Sequence, residues 1–105
     1  MTLEELKEIL ESTGLPVTYR AWPENSAPDL PYICYIVTGS DNFSADGVAF
    51  HKAKQVNVEL YTETIDESIE KLIEDALDAA GIYWDFTQIY VESEEFYETI
   101  YDLEV

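Results

Sequence analysis

The stretch Tyr32–Thr62 reads YICYIVT (32–38), GSDNFSADG (39–47) and VAFHKAKQVNVELYT (48–62). Two apolar, strand-like runs are divided by a polar segment longer than a tight hairpin needs. The first run is nearly continuous in Ile, Val, Tyr and Cys, the pattern of a strand covered on both faces. The second alternates from Lys54, with Val56, Val58 and Leu60 on one side and Gln55, Asn57, Glu59 and Tyr61 on the other, the period-2 pattern of a half-buried strand. These two strands form the expected centre of a sheet, and the remaining elements pack on them or pair beside them.

On the N-terminal side, Thr2 is placed as a helix N-cap with Glu5 three residues on, a capping-box spacing. Leu3, Leu6, Ile9 and Leu10 recur at helical period opposite Glu4, Lys7, Glu8 and Glu11. Gly14 and Pro16 end this short amphipathic helix, which must dock on the sheet to persist. Val17–Trp22 alternates as a strand. The following PENSAPDLP holds Pro23, Pro28 and Pro31, which cannot donate ladder hydrogen bonds, so it is expected to be an ordered crossing between strands.

On the C-terminal side, TETIDES leads into a second helix for which Thr64 and Glu67 offer a capping box. Ile65, Ile69, Leu72, Ile73, Ala76, Leu77 and Ala80 make its apolar stripe, and Gly81 stops it. Its other face sets Asp66 against Glu70, Glu70 against Glu74 and Glu74 against Asp78 as like-charge i,i+4 pairs, each destabilising by roughly 0.2–0.5 kcal/mol. A Glu67–Lys71 pair offsets only part of this, so burial of the stripe has to hold the helix down. Ile82–Val91 and Phe96–Val105 then form an antiparallel pair across ESEE, with Tyr97, Thr99, Tyr101, Leu103 and Val105 sharing a face. Ile100, among the acids of the opposite face, implies that part of that face is covered. The expected fold is α+β in the order αβββαββ, an antiparallel sheet of four to five strands with two helices packed on one face.

With 105 residues, the chain makes one domain, residues 1–105, that can bury roughly 65% of its unfolded surface. A composition that is 47% hydrophobic and 27% charged is globular in spite of a formal net charge of −18. Twenty-three acids against five bases exclude the basic footprint needed to bind nucleic-acid phosphates or an anionic membrane surface, and favour a basic partner. The single cysteine, Cys34, falls in the most apolar strand and is expected to be a buried structural thiol. MTLEELKEIL has acids early and no long apolar run, so no signal or transit peptide is expected there, and no stretch nears the roughly 20 apolar residues of a membrane span.

The pattern holds no catalytic or metal-ligand constellation. His51 is the only histidine, and with Cys34 inside a strand it makes a poor nucleophile–base pair. A calcium loop beginning at Asp41 fails at its third position, Phe43, and at its sixth, Asp46; Asp46-Gly47 is better suited to a turn. Gly-rich phosphate loops and CxxC pairs are lacking, and with so many acids a carboxylate pair at glycosidase spacing would carry no weight. No enzyme, cofactor or metal is therefore expected. The aromatic load suits half-buried strands, but Phe43 stands in a polar segment with no local reason to be there. Together with Phe50 and Trp22, it is a candidate for a partner surface.

PYICYIVTGSDNFSADGVAFHKAKQVNVELYTET, IEDALDAAGIYWDFTQIYVESEEFYETIYDLEV and the leading helix resemble the tail terminator, tail-completion or head–tail joining proteins of siphovirus and prophage morphogenesis clusters. The likeness runs from about Leu15 to Val105 and lies in the whole pattern; it includes no catalytic motif. It implies a structural virion protein assembled in the bacterial host cytoplasm. Its subunits would form a ring, commonly a hexamer, that ends the tail tube and joins it to the neck of the head. The GSDNFSADGVAFHK segment would reach a neighbouring subunit or the tube, making Phe43, Asp46, Gly47, Phe50 and His51 the expected contact residues, while the sheet edge would help close the ring. The acidity fits a lumen through which DNA slides, and equally fits solubility. The alternative from another class is an acidic module that mimics nucleic-acid charge and sequesters a basic protein.

Overall fold

The computed structural model describes residues 1–45 and 48–105, and for residues 43–45 and 48–51 the backbone alone. The order is α1 (Leu3–Glu11), β1 (Val17–Tyr19), β2 (Tyr32–Ser40), β3 (Phe43–Ala45), β4 (Val48–His51), β5 (Lys54–Thr62), α2 (Glu67–Ala79), β6 (Trp84–Val91) and β7 (Phe96–Glu104). Five strands make the main sheet in the order β1-β2-β5-β7-β6, while among the described residues β3 and β4 pair only with each other, as a ribbon. The main sheet thus carries the αβββαββ order, with both helices on one face. The expected antiparallel sheet needs one correction, because β1 runs parallel to β2. The cause is the proline-rich connection between them, which is long enough to return the chain to the end where β1 began. Arg20, with φ +66°, leaves the strand earlier than the alternation through Trp22 implied.

The core follows from period-2 alternation on adjacent strands. Ile33 and Tyr35 of β2 lie beside Leu60 and Val58 of β5, and Val56 and Val58 lie beside Leu103 and Tyr101 of β7. Leu6 and Leu10 of α1 and Ile73 and Leu77 of α2 close over this layer, all four without solvent exposure. α1 begins as expected: the Glu5 N–H donates to the Thr2 hydroxyl oxygen at 3.1 Å, and that hydroxyl donates to the Glu5 carboxylate.

α2 departs from expectation at its start. Its N-cap is Asp66 rather than Thr64, with the Asp66 carboxylate accepting from the Ser68 and Ile69 N–H groups. The buried face is turned toward β6, so Glu70 is buried whereas Leu72 is 45% exposed, and Ile65, placed before the Asp66 cap, is left out of the helix at 54% exposure. Lys71 bonds Asp75, not Glu67, in the one ion pair formed among the described residues. At the other end, Gly81 at φ +72° donates to the Asp78 carbonyl and Ile82 donates to the Leu77 carbonyl. This is a Schellman closure, and it takes Ile82 out of the strand in which the sequence pattern placed it. Gly81→Ala forces a Cβ into the left-handed region and should lower the unfolding free energy by about 1 kcal/mol in urea titrations; an unchanged midpoint would show that the turn relaxes.

Candidate interaction surfaces

Three surfaces remain once the helices have covered one face of the sheet. The first is the ribbon. β2 and β5 pair from Tyr32↔Tyr61 to Ser40↔Lys54, with a register shift between Val37 and Gly39. Beyond a break at 41–42 and 52–53 the same two chain directions pair again as β3 and β4. The break is pinned by the Asp41 N–H donating to the Ala53 carbonyl at 3.0 Å and the Ala53 N–H donating to Asn42 Oδ1 at 3.2 Å. β3, in the polar segment, and β4, at the start of the second apolar run, therefore extend the central hairpin. Of the expected contact residues, Phe43 and His51 are cross-strand partners in this ribbon, and Phe50 falls at its register irregularity. Asp46 and Gly47 lie outside the described residues.

The second surface is the sheet face without helices. Trp22, Tyr32, Tyr61 and Phe96 form a continuous row across it, with successive ring centroids 5.8, 5.2 and 5.2 Å apart. Trp22 is thus engaged edge-on with Tyr32, although its buried indole N–H has no hydrogen-bond partner among the described residues. The Tyr61 hydroxyl bonds the Glu59 carboxylate and lies 3.3 Å from Glu98 Oε1. Burial, then the neighbouring Glu59 charge, raises the Glu98 pKa above the ordinary carboxylate value. Burial, followed by the hydrogen bond with Glu59, pushes the Tyr61 phenol far up. Cys34 is cross-strand from Glu59. Its thiol is pushed up to about 11 by burial and then by the charges of Glu59 and Glu98, so it is protonated at neutral pH and poor as a nucleophile. The Glu59–Tyr61–Glu98 group went unread in the sequence because its members come together only through the β5–β7 register, which pairs Tyr61 with Glu98. Alternation alone placed Glu59 and Tyr61 on one face.

The third surface lies along β6 and the outer side of α2. Phe86 and Tyr90 on the helix side of β6, and Ile89 on the other, are each more than 40% exposed. Phe86 meets Trp84 and Tyr101 at centroid distances of 6.2 and 6.0 Å. Between this strand and α2 lies a groove of about 460 Å³ lined by Glu67, Glu70, Glu74, Asp75, Asp78 and Phe86. Three of these acids are held in place: Asp78 accepts from Trp84 Nε1 at 2.8 Å, Glu74 accepts from the Tyr101 hydroxyl at 2.8 Å, and Asp75 is bound to Lys71. Burial raises the Glu70 pKa against the opposing hydrogen bond from Gln88.

Among the described residues no three His, Cys, Asp or Glu side chains are grouped to hold a metal ion, and no helix is long and apolar enough to cross a membrane. Comparison with protein-family models and with curated proteins finds no match to this chain.

Proposed function

We infer that this chain is a structural subunit of phage or prophage morphogenesis that assembles into a ring at the head–tail junction, ending the tail tube and joining it to the neck. The observation that carries this reading is the central hairpin, whose strands continue past the main sheet into a ribbon paired only with itself. Such a ribbon carries backbone edges beyond the main sheet, and Phe43, Phe50 and His51 belong to its two strands. The sequence pattern that resembles the tail terminator proteins runs through this same segment. Copies of the chain and the tail tube are the partners; the ring is assembled in the host cytoplasm and kept in the virion.

A Phe43→Ser variant tests the arm directly. The five-stranded sheet holds the core, so the variant should keep the wild-type far-UV circular dichroism and melting transition. Its assembled fraction, read by analytical ultracentrifugation, should fall by about tenfold, corresponding to loss of one well-buried aromatic contact. Assembly at the wild-type level would remove the ribbon from the account.

A further inference from the structure

The two edges of the main sheet are not alike. β1 is three residues long and is followed by Arg20 in a left-handed conformation and by the proline-rich crossing, features that blunt an edge against pairing. β6 is eight residues, WDFTQIYV, with no lysine, no proline and no register shift against β7. Its outer backbone groups have no neighbouring strand among the described residues, and Phe86, Ile89 and Tyr90 are exposed along it. A long, regular, apolar edge of this kind is a template for an added strand.

The sign of the strand that fits is set by what stands beside the edge. An added strand turns alternate side chains toward the groove under α2, where it meets Glu67, Glu70, Glu74, Asp75 and Asp78, with Lys71 the one cation there among the described residues. A second copy pairing through its own β6 would bring two such acidic walls together, which opposes self-pairing. We propose that β6 is a strand-addition site for an extended segment of another protein, one that carries Lys or Arg at every second position and apolar residues between them. Its basic side chains lie along the acids of α2 and its apolar ones along the Ile89 side of the sheet; main-chain hydrogen bonds to β6 supply the register. This gives the β6 edge to a partner rather than to the ring closure expected of a sheet edge, and it can hold or fail without the ring.

The probe is a synthetic alternating lysine–valine peptide long enough to span β6, titrated into the full chain while backbone amide shifts are followed by NMR. The expected result is saturable binding with the largest shifts at 84–91, and an affinity that falls as salt rises. A peptide of the same composition with its lysines in one block, and an alternating glutamate–valine peptide, should each bind at least about tenfold more weakly. Phe86→Lys puts a charge of the wrong sign on the edge and should weaken the lysine–valine peptide by about tenfold or more. Because Phe86 also packs on Trp84 and Tyr101, Glu67→Lys serves as a second variant at an exposed position, with a loss of at least about threefold expected. Equal affinity for the blocked peptide, shifts spread over the acidic surface and absent from 84–91, or association of the chain with itself through β6 would each overturn the proposal.

Discussion

Leu77→Ala should lower the free energy of unfolding by about 3–4 kcal/mol, while Leu72→Ala, five residues earlier on the same helix, should change it by no more than about 0.5 kcal/mol. In the sequence the two leucines belong to one apolar stripe and are indistinguishable. In the fold, Leu77 has no exposed surface and sits in the core cluster with Leu6, Leu10, Val58 and Tyr101, whereas Leu72 is among the exposed large side chains. The cavity left at Leu77 lies where both helices meet the sheet and where the Ile82 N–H closes onto the Leu77 carbonyl. Little can collapse to fill it, so the cost belongs to the upper part of the range for leucine truncation. Urea titrations of the two variants make the measurement. Similar losses at both positions would mean that the phase of α2 on the sheet is wrong, and with it the placement of its acids beside β6.

The second large effect is on the charge balance. Stability should rise as pH is lowered from about 7 toward about 5, and should rise with added salt at pH 7. Glu98 and Glu70 both titrate above the ordinary carboxylate value because burial disfavours their charged forms. A carboxyl whose folded pKa is raised favours the fold while it is protonated, and that contribution is lost as pH rises through the folded value. Acidification from neutrality therefore restores it, and the same protonation relieves the self-repulsion of a chain with net charge −18. Asp66 works in the opposite sense. Its pKa is lowered by the hydrogen bond from Ser68, so its contribution is lost only at lower pH, as the solution falls through that depressed value. At the alkaline end, Tyr61 and Tyr101 are raised by burial and by their bonds to Glu59 and Glu74, so stability should fall once pH exceeds about 10, where unfolded tyrosine ionises. Glu98→Gln isolates one part of this. It removes the like charge beside Glu59 and should raise the melting temperature at pH 7 by up to about 4 °C, in keeping with a partly exposed pair worth under about 1 kcal/mol. A melting temperature independent of both pH and salt would show that the acids are compensated by partners the fold does not display.

Much of this fold could be read from residue chemistry, and the points of failure have physical causes. The alternation from Lys54 to Thr62 correctly sorted Val56, Val58 and Leu60 from Glu59 and Tyr61, because on a central strand burial follows a strict period of two. Gly81 was legible as a helix stop because only a residue without a Cβ takes that conformation cheaply. The direction of β1 was not legible, because a proline-rich crossing has the same composition whether it reverses the chain or returns it. The cap of α2 slipped from Thr64 to Asp66 because several capping residues compete within TETIDES and helix packing chooses among them. Glu70 was read as solvent-facing because charge usually is; its place beside Gln88 depends on how α2 is rotated over β6. β3 was hidden in the polar segment and β4 was read as the start of the second apolar run, because nothing in the spacing marks where the central hairpin breaks and pairs again. The interaction surfaces were the least legible part, as Glu59, Tyr61 and Glu98, or Phe86 and the acids of α2, are joined by strand register and helix placement rather than by spacing along the chain.

The ring is tested most directly by the mass of the wild-type protein in solution, measured by light scattering on a size-exclusion column at low and moderate salt over a range of concentrations. The expected result is a closed species of several subunits, most simply six times the 12.0 kDa chain, favoured as salt screens the acids. A 12.0 kDa monomer at every concentration and salt would contradict it.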